Sequence, residues 1–422
     1  MLAVSVLLVA ATFVPYAIQA ANPPEGRTFA WMFQRLPDEA SYLMWMDQHA
    51  AGHLAVRNRM ALGIEGTLPP NPVWLVLGRV QAWTGLPGIV VYHAGRAALA
   101  LAYLWVLAAL CLRALPTHRQ ALVAFLMAAT GSGLGWLASV GLPLRSADWI
   151  TELWGFPSLF HYPHFAASLA LASGGLLLLW RARTTHGESR NTNGIPFNAV
   201  GAALCWALLV WVHPYTAGTL YVALFLSLLL DRLGNRPPVD PRPGALVLGV
   251  GALSIVAMAA YMSTSPAMQS WASQNRLPSP APTAYLLGLG VVGVLAAWGI
   301  VARFARRDWP PTWRFLAAWL VAAAVLAYAG PLVPFERRCV EGVHIALALF
   351  AASAIGPFVD RMGRIGAAAA MAALVVAVAP TNVVMLVVES ANPRASAQIR
   401  DDWPDLFDTV RALPGERTVC SD

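Results

Sequence analysis

The sequence predicts an all-α polytopic membrane protein, with about eleven transmembrane helices and a long first outer loop that carries interfacial helices. Hydrophobic residues make up 58% of the 422 positions and charged residues 12%, whereas about a quarter of the residues in a soluble domain are charged. The apolar runs recur, and they are long enough to cross roughly 30 Å of hydrocarbon as helices. This composition excludes a soluble globular protein.

The first apolar segment, residues 1–20, is predicted to be a retained helix and not a cleaved signal peptide. No basic segment precedes it, and it exceeds the usual apolar core of about 7–15 residues. The missing basic start also suggests that the natural N-terminus could lie upstream. With the later spans it forms one predicted transmembrane domain, residues 1–388. Those spans are expected at roughly 89–112, 120–141, 164–180, 197–212, 216–230, 245–263, 284–302, 315–333, 343–359 and 365–388.

The basic residues predict the orientation of these spans. All 28 are arginines, and 14 of them lie with only five acidic residues in alternate connections. Cytoplasmic loops carry such an excess of positive charge. We therefore expect residues 21–87, the loop after residue 141, the 336–342 segment and the C-terminal tail on the outer face of the cell (inner) membrane, towards the periplasm or exterior. The cytoplasmic connections are then 113–119, 181–196, 231–244, 303–314 and 360–364.

The first outer loop, residues 21–87, is the longest predicted non-spanning region. Two helices are expected in it, at about 39–54 and 72–84, separated by a proline-rich break. The second is too short to cross a bilayer and contains Trp74 and Trp83. Tryptophan favours the headgroup level, so this helix is expected to lie in the interface.

The tail, residues 389–422, turns polar after the last apolar run. Residues 402–413 have the pattern of a soluble helix, and the last five residues are typical of a strand. The tail is therefore predicted to be extracytoplasmic and to be the start of a soluble domain that has been truncated.

Asp38 and Glu39 follow Pro37 at the start of the first loop helix. One interpretation is a helix N-cap, since acidic residues are favoured in a first turn. A cap needs only one carboxylate, however. The functional interpretation is that this pair is catalytic, with a carboxylate that removes a proton from an acceptor hydroxyl.

The second outer loop contains further ionisable groups. Asp148 and Glu152 would share one face if the segment between them were helical. With His164 and His213 they could shape an acceptor site or hold a divalent metal such as Mg or Mn, although no ligand spacing here is diagnostic. The alternative is an interfacial aromatic belt with solvated charges.

Three arginines are candidates for holding a phosphate. Arg337 and Arg338 lie on the predicted outer face, against the charge bias, so they need an anionic partner. That partner could be a phosphate gripped by guanidinium forks, or Glu336 and Glu341 in an ion-pair network. Arg96, early in its span, could contact the same phosphate or extend its head to the interface.

The segment Pro37-Asp-Glu-Ala-Ser-Tyr42, after a first span, resembles the acidic motif of GT-C glycosyltransferases, such as protein O-mannosyltransferases and aminoarabinose transferases. The interfacial helices, the Pro69–Pro72 turn and Arg96 are also similar. Leu68 stands where several such families have lysine, which leaves that lysine's donor contact unmatched. The resemblance is strongest over residues 1–112. It implies a polyprenyl-phosphate sugar donor, inversion at the anomeric carbon, and Asp38 as the base.

These observations predict a cell-envelope glycosyltransferase that moves a sugar from a polyprenyl-phosphate carrier to a hydroxyl on a glycan, lipid or protein. Its partners would be those molecules and membrane lipid, with no nucleic acid. The alternative is a secondary transporter or lipid flippase of the same glycan pathway. Transporters place ionisable groups near the bilayer midplane, whereas here the acidic residues crowd one predicted surface.

Overall fold

The computed structural model describes residues 1–33, 36–59, 66–188, 196–233, 240–274, 276–330, 333, 335–392 and 396–400. Helices dominate, and the prediction of an all-α polytopic membrane protein is confirmed. In chain order they are α1 Leu2–Ala11, α2 Val14–Ala21, α3 Leu36–Ala50, α4 Pro72–Thr84, α5 Gly88–Ala114, α6 His118–Thr130, α7 Gly155–His161, α8 Pro163–Glu188, α9 Phe197–Val212, α10 Pro214–Leu233, α11 Arg242–Thr264, α12 Pro266–Gln274, α13 Pro282–Arg306, α14 Pro311–Leu326, α15 Val343–Arg361, α16 Arg364–Val378 and α17 Pro380–Ala391.

Among the described residues, seven helical segments are long and apolar enough to cross a membrane. The pair α16 and α17, bent by 57°, makes an eighth if it counts as one span. Two shorter apolar helices, α9 and α14, occupy the predicted spans at 197–212 and 315–333. The spans predicted from hydropathy therefore correspond to one helix or, at 1–20 and 365–388, to a pair of helices, with one exception.

The exception is the predicted span at 120–141, which is not one helix. Helix α6 ends at Thr130, and residues 131–135, Gly-Ser-Gly-Leu-Gly, form an irregular connection. A Cβ on Gly133 would lie 2.4 Å from the carbonyl oxygen of Gly288, so only glycine permits this approach. Apolar composition alone does not distinguish such a docked connection from a span.

The connection docks where α13 is broken. Gly290 has φ +50°, which is outside the helical region. The carbonyl groups of the turn before it accept hydrogen bonds from outside the helix: Leu134 N donates to Leu287 O at 3.0 Å, and Trp154 Nε1 donates to Gly288 O at 2.8 Å. The break in α13 thus supplies acceptors that hold the second outer loop.

In the first loop, both predicted helices are present. Helix α4 has the predicted bounds, with Asn71 accepting a hydrogen bond from Val73 N and Gly85 in the left-handed conformation after its end. Helix α3 begins and ends a few residues earlier than expected. The two pack closely at Gly78, where a Cβ would lie 2.5 Å from the carbonyl oxygen of Met46.

The first loop also contains a strand that was not predicted. Strand β1, Arg27–Phe33, pairs antiparallel with β2, Ser396–Arg400, from the tail. The sequence of residues 27–33 does not by itself predict a strand, because the partner strand lies at the other end of the sequence. The predicted tail helix at 402–413 lies outside the described residues.

Candidate functional site

The adjacent acidic residues of α3 occupy different environments. Asp38 and Glu39 both lie in the first helical turn, where a negative charge is favoured. Asp38 is exposed, whereas Glu39 is buried. Glu39 Oε2 accepts a hydrogen bond from Phe33 N at 3.0 Å, which ties the start of α3 to the end of β1. Only Asp38 is therefore open to a reaction partner.

Burial changes the protonation of Glu39. Removal from solvent raises its pKa to about 8, although the hydrogen bond from Phe33 and the charge of Arg96 both lower it. At neutral pH most Glu39 side chains are consequently protonated. Asp38 is then the exposed carboxyl group at the start of α3. It lies four residues before Tyr42 and so on the same helical face.

A series of aromatic ring contacts begins at Tyr42, on the same helical face as Asp38. The Tyr42 ring stacks on Trp74 of α4, with 4.4 Å between centroids and 11° between planes. Tyr42 also contacts His164, at 5.0 Å between centroids. His164 is buried and contacts Phe165 at 4.5 Å, and Phe165 contacts His213 at 5.4 Å. These ring contacts connect α3 to the polar centre of the molecule.

His213 and Glu341 form that polar centre with two hydroxyl groups. His213 Nδ1 lies 2.7 Å from Glu341 Oε2 and 2.6 Å from Thr216 Oγ1. Thr216 donates to the same carboxylate oxygen, and so does Ser168 Oγ at 2.9 Å. Both the His213 and the Glu341 side chains are buried. His213 Nε2 and Glu341 Oε1 have no hydrogen-bond partner in the part of the chain that the structure describes.

Arg337 and Arg338 share one carboxylate, that of Glu152. Arg337 Nη2 lies 3.2 Å and Arg338 Nε 3.9 Å from Glu152 Oε1. Burial would raise the pKa of Glu152, but the two guanidinium groups outweigh it and lower that pKa. The sequence suggested Glu336 and Glu341 as ion partners. Glu336 instead accepts from Ser279 N at 3.1 Å, and Glu341 pairs with His213.

This arrangement, hereafter the Glu152 cluster, carries a net positive charge of one. Among the described residues, Oε2 of Glu152 and the Nε atoms of both arginines are buried without a hydrogen-bond partner. Two guanidinium groups with unused donors are suited to an anion with several oxygens, such as a phosphate.

Asp148 is engaged differently. Its Oδ2 accepts from Gly133 N at 2.8 Å, Gly135 N at 3.1 Å and Thr381 Oγ1 at 2.5 Å, and its Oδ1 accepts from Ser146. The carboxylate thereby anchors the glycine-rich connection to α17. Asp148 lies in a short 3₁₀ helix, Ala147–Trp149, so it does not share a helical face with Glu152.

The residues predicted to hold a metal do not form a ligand set. Asp148 is occupied by four donors and Glu152 by two arginines. Across the described ranges, no group of three or more histidine, cysteine, aspartate or glutamate residues is arranged to hold a metal ion. The arrangement fits an anion better than a divalent cation.

Arg96 lies inside the helix bundle. Its Nη1 donates to Thr12 Oγ1 at 2.9 Å and to the carbonyl oxygens of Leu159 and Phe160 at 3.2 and 2.9 Å. The guanidinium also lies over the Phe13 ring, 4.3 Å from its centroid. Arg96 therefore does not extend to the interface; it joins the first helices to the second outer loop.

Comparison with known proteins gave matches among solved structures only; no family model and no curated protein sequence matches the chain. The archaeal oligosaccharyltransferase AglB from Archaeoglobus fulgidus, in complex with an inhibitory peptide and a dolichol-phosphate, aligns with a TM-score of 0.52 at 16% identity. That alignment covers 97% of this chain and 58% of AglB. The Archaeoglobus fulgidus oligosaccharyltransferase with Zn and sulfate aligns with a TM-score of 0.50 at 14% identity, over 96% and 55%.

ArnT from Cupriavidus metallidurans, bound to undecaprenyl phosphate, aligns with a TM-score of 0.49 at 16% identity, over 85% of this chain and 60% of ArnT. The chain thus spans a little over half the length of the oligosaccharyltransferase structures. The predicted resemblance to GT-C glycosyltransferases is confirmed at the level of the fold.

Proposed function

We propose that this protein is a GT-C-type membrane glycosyltransferase, which moves a sugar from a polyprenyl-phosphate donor to an acceptor hydroxyl with inversion. The observation that carries the proposal is the pairing of one exposed carboxylate with a half-buried arginine pair in a GT-C-like fold. Asp38 is the carboxylate, and the Glu152 cluster holds the arginines. The ring contacts from Tyr42 through His164 and Phe165 lead to His213. The partner of His213 is Glu341, three residues after Arg338.

Asp38 is the general base in this mechanism. As the anomeric bond breaks, the acceptor hydroxyl must lose its proton, and an exposed ionised carboxylate can take it. Glu39 is a positioning residue: its hydrogen bond to Phe33 N fixes the first turn of α3. Because Glu39 is mostly neutral at pH 7, it adds no second charge beside the base.

Arg337 and Arg338 bind the phosphate of the donor. Negative charge grows on this phosphate as the sugar leaves, so prepositioned guanidinium groups stabilise the transition state more than the ground state. Glu152 restrains both arginines through one oxygen while leaving a net positive charge. It is thus a positioning residue for the pair.

The AglB structure with a similar fold contains dolichol-phosphate, a polyprenyl-type lipid phosphate. We infer a polyprenyl-phosphate carrier for this chain, with a glycan, lipid or protein as acceptor. The Arg distribution supports a site on the outer face of the inner membrane. Reporter fusions test that orientation: cytoplasmic signals are expected after residues 118, 188, 238 and 309, and outer signals near 60, 150, 275 and 400.

The decisive experiment compares wild-type protein with Asp38→Asn and the control Asp47→Asn. Each purified protein is mixed with a panel of undecaprenyl-phosphate sugars and a membrane extract that supplies acceptors, and mass spectrometry follows release of undecaprenyl phosphate. Asp38→Asn should bind the carrier normally and lose at least about a hundredfold in turnover. Asp47 is exposed on the same helix and accepts from Gln81 Nε2, so its substitution should leave turnover unchanged.

Two results would contradict the mechanism. Full turnover by Asp38→Asn would reduce Asp38 to a helix-capping residue. Movement of an intact lipid-linked sugar across proteoliposomes by wild-type protein, without release of the carrier, would favour the transporter or flippase alternative.

A further inference from the structure

A cavity lies at the opposite end of the spans from the Glu152 cluster. Its volume is about 280 Å³, and it sits between the end of α5, the end of α8 and the start of α14. Helix α8 carries His164 near its beginning and Arg183 near its end, so about 28 Å of helical rise separates His164 from Arg183. The lining includes Arg113, Leu176, Trp180, Arg183, Pro311 and Trp313.

The cavity is positively charged. Arg113 is exposed at its rim, and Arg183 is half-buried, with 7% of its side chain exposed. Arg183 donates through Nη2 to Asp231, but its buried Nε has no hydrogen-bond acceptor among the described residues. Asp231 is already paired with Arg314 as well. None of the described lining residues is acidic.

The floor and walls are apolar and aromatic. Leu176 and Phe315 are buried, and Trp313 presents its indole ring beneath the guanidinium of Arg303, whose Cζ lies 3.4 Å from the ring centroid. Trp180 is half-buried on the adjacent wall. Tryptophan and arginine together are typical of the level at which spans meet lipid headgroups.

We propose that this cavity binds the phosphate of an anionic phospholipid headgroup. Guanidinium forks grip phosphate oxygens, and the orphaned Nε of Arg183 would gain the acceptor that it lacks. The volume is near the lower end of the usual range of about 300–1,000 Å³ for small-molecule sites, which suits a headgroup whose acyl chains remain in the bilayer. The inference does not depend on the proposed glycosyl transfer.

The test uses the full-length protein in detergent and measures its melting temperature. The probes are dioctanoyl-phosphatidylglycerol, dioctanoyl-phosphatidylcholine and inorganic phosphate. We expect the phosphatidylglycerol to raise the melting temperature saturably and the phosphatidylcholine to do so far less. Arg113→Gln should weaken the apparent affinity for phosphatidylglycerol by about tenfold, and Ala114→Trp, at the half-buried rim of the cavity, should abolish the response.

Arg364→Gln is the matched control, since Arg364 is an exposed arginine in another of the basic connections and does not line the cavity. It should respond like wild type. If inorganic phosphate alone reproduces the shift, the phosphate group is bound but its source is the free ion. The proposal fails if phosphatidylglycerol and phosphatidylcholine act alike, or if both cavity variants respond as Arg364→Gln does.

Discussion

Two clusters in this protein place two arginines on one carboxylate, and they differ in how completely that carboxylate is used. The Asp231 cluster comprises Asp231, Arg183 and Arg314 and joins α8, α10 and α14; the Glu152 cluster joins the second outer loop to the 336–340 segment. Arg314 reaches Asp231 Oδ1 through Nε at 2.6 Å and Nη2 at 2.5 Å, while Arg183 occupies Oδ2.

The Glu152 cluster is looser. Its arginines lie 3.2 and 3.9 Å from one carboxylate oxygen, and the other oxygen has no partner among the described residues. The arginine side chains are 21% and 23% exposed, against 7% and 13% in the Asp231 cluster. The same three charged groups therefore form a closed joint, with both carboxylate oxygens paired, in one place and an open cluster, with one carboxylate oxygen unpaired among the described residues, in the other.

The largest effect is expected from opening the closed joint. Asp231→Asn leaves two largely buried arginines without their carboxylate, which should destabilise the protein by about 3–5 kcal/mol. The measurement is thermal unfolding in detergent. Asp240→Asn is the control, because Asp240 pairs with an arginine that is 58% exposed, and such surface pairs contribute about 0–1 kcal/mol. Equal melting temperatures for the two variants would contradict the comparison.

A buried carboxyl group with no paired arginine should behave differently from either cluster, and Glu39 provides that case. Its pKa rises from an ordinary value of 4.5 to about 8. Between these values the unfolded chain releases a proton that the folded protein keeps, so stability falls as pH rises from about 4.5 to about 8. The slope is at most about 1.4 kcal/mol per pH unit.

Glu39→Gln keeps the acceptor for Phe33 N and removes the titration. The variant should show a flatter dependence of melting temperature on pH in this window. A wild-type profile that is already flat would mean that Glu39 ionises freely in the folded protein.

The smallest effect on stability is expected in the open cluster. Glu152→Gln leaves two arginines that are already partly hydrated, so the loss should be about 1 kcal/mol or less. The variant should still bind undecaprenyl phosphate as wild type does. Its turnover should fall by about tenfold, because the arginines lose their orientation. Weaker binding together with unchanged turnover would contradict a positioning role.

Helix α4 shows how far the sequence could predict the fold. Asn71, Pro72 and Gly85 mark its ends through local chemistry, and its observed bounds match the prediction. The prediction of a span at 120–141 was wrong because hydropathy measures only composition. The conformation of residues 131–135 instead depends on the close approach of the α13 backbone. That approach is a tertiary feature without a local signature.

The candidate site was predictable in its residue types and less so in its partnerships. An arginine pair on the predicted outer face implied an anion, either a phosphate or the nearby Glu336 and Glu341. The carboxylate that contacts Arg337 in the structure is Glu152, which is 185 residues away in sequence. Likewise, neighbouring residues on a helix point about 100° apart. The sequence alone therefore does not show which of Asp38 and Glu39 is buried, because this depends on the packing of β1 against α3. The roles of these residues remain predictions.

The β1–β2 pairing has a consequence for the order of biogenesis. Strand β1 holds the first turn of α3 through Phe33, yet its partner β2 leaves the ribosome only after all the spans that the structure describes have been made. Gln19 of α2 likewise donates to the carbonyl oxygen of Glu389, 370 residues later. Membrane insertion proceeds from the N-terminus, and contacts this distant in sequence close slowly. The segment bearing Asp38 therefore acquires its final shape only at the end of assembly.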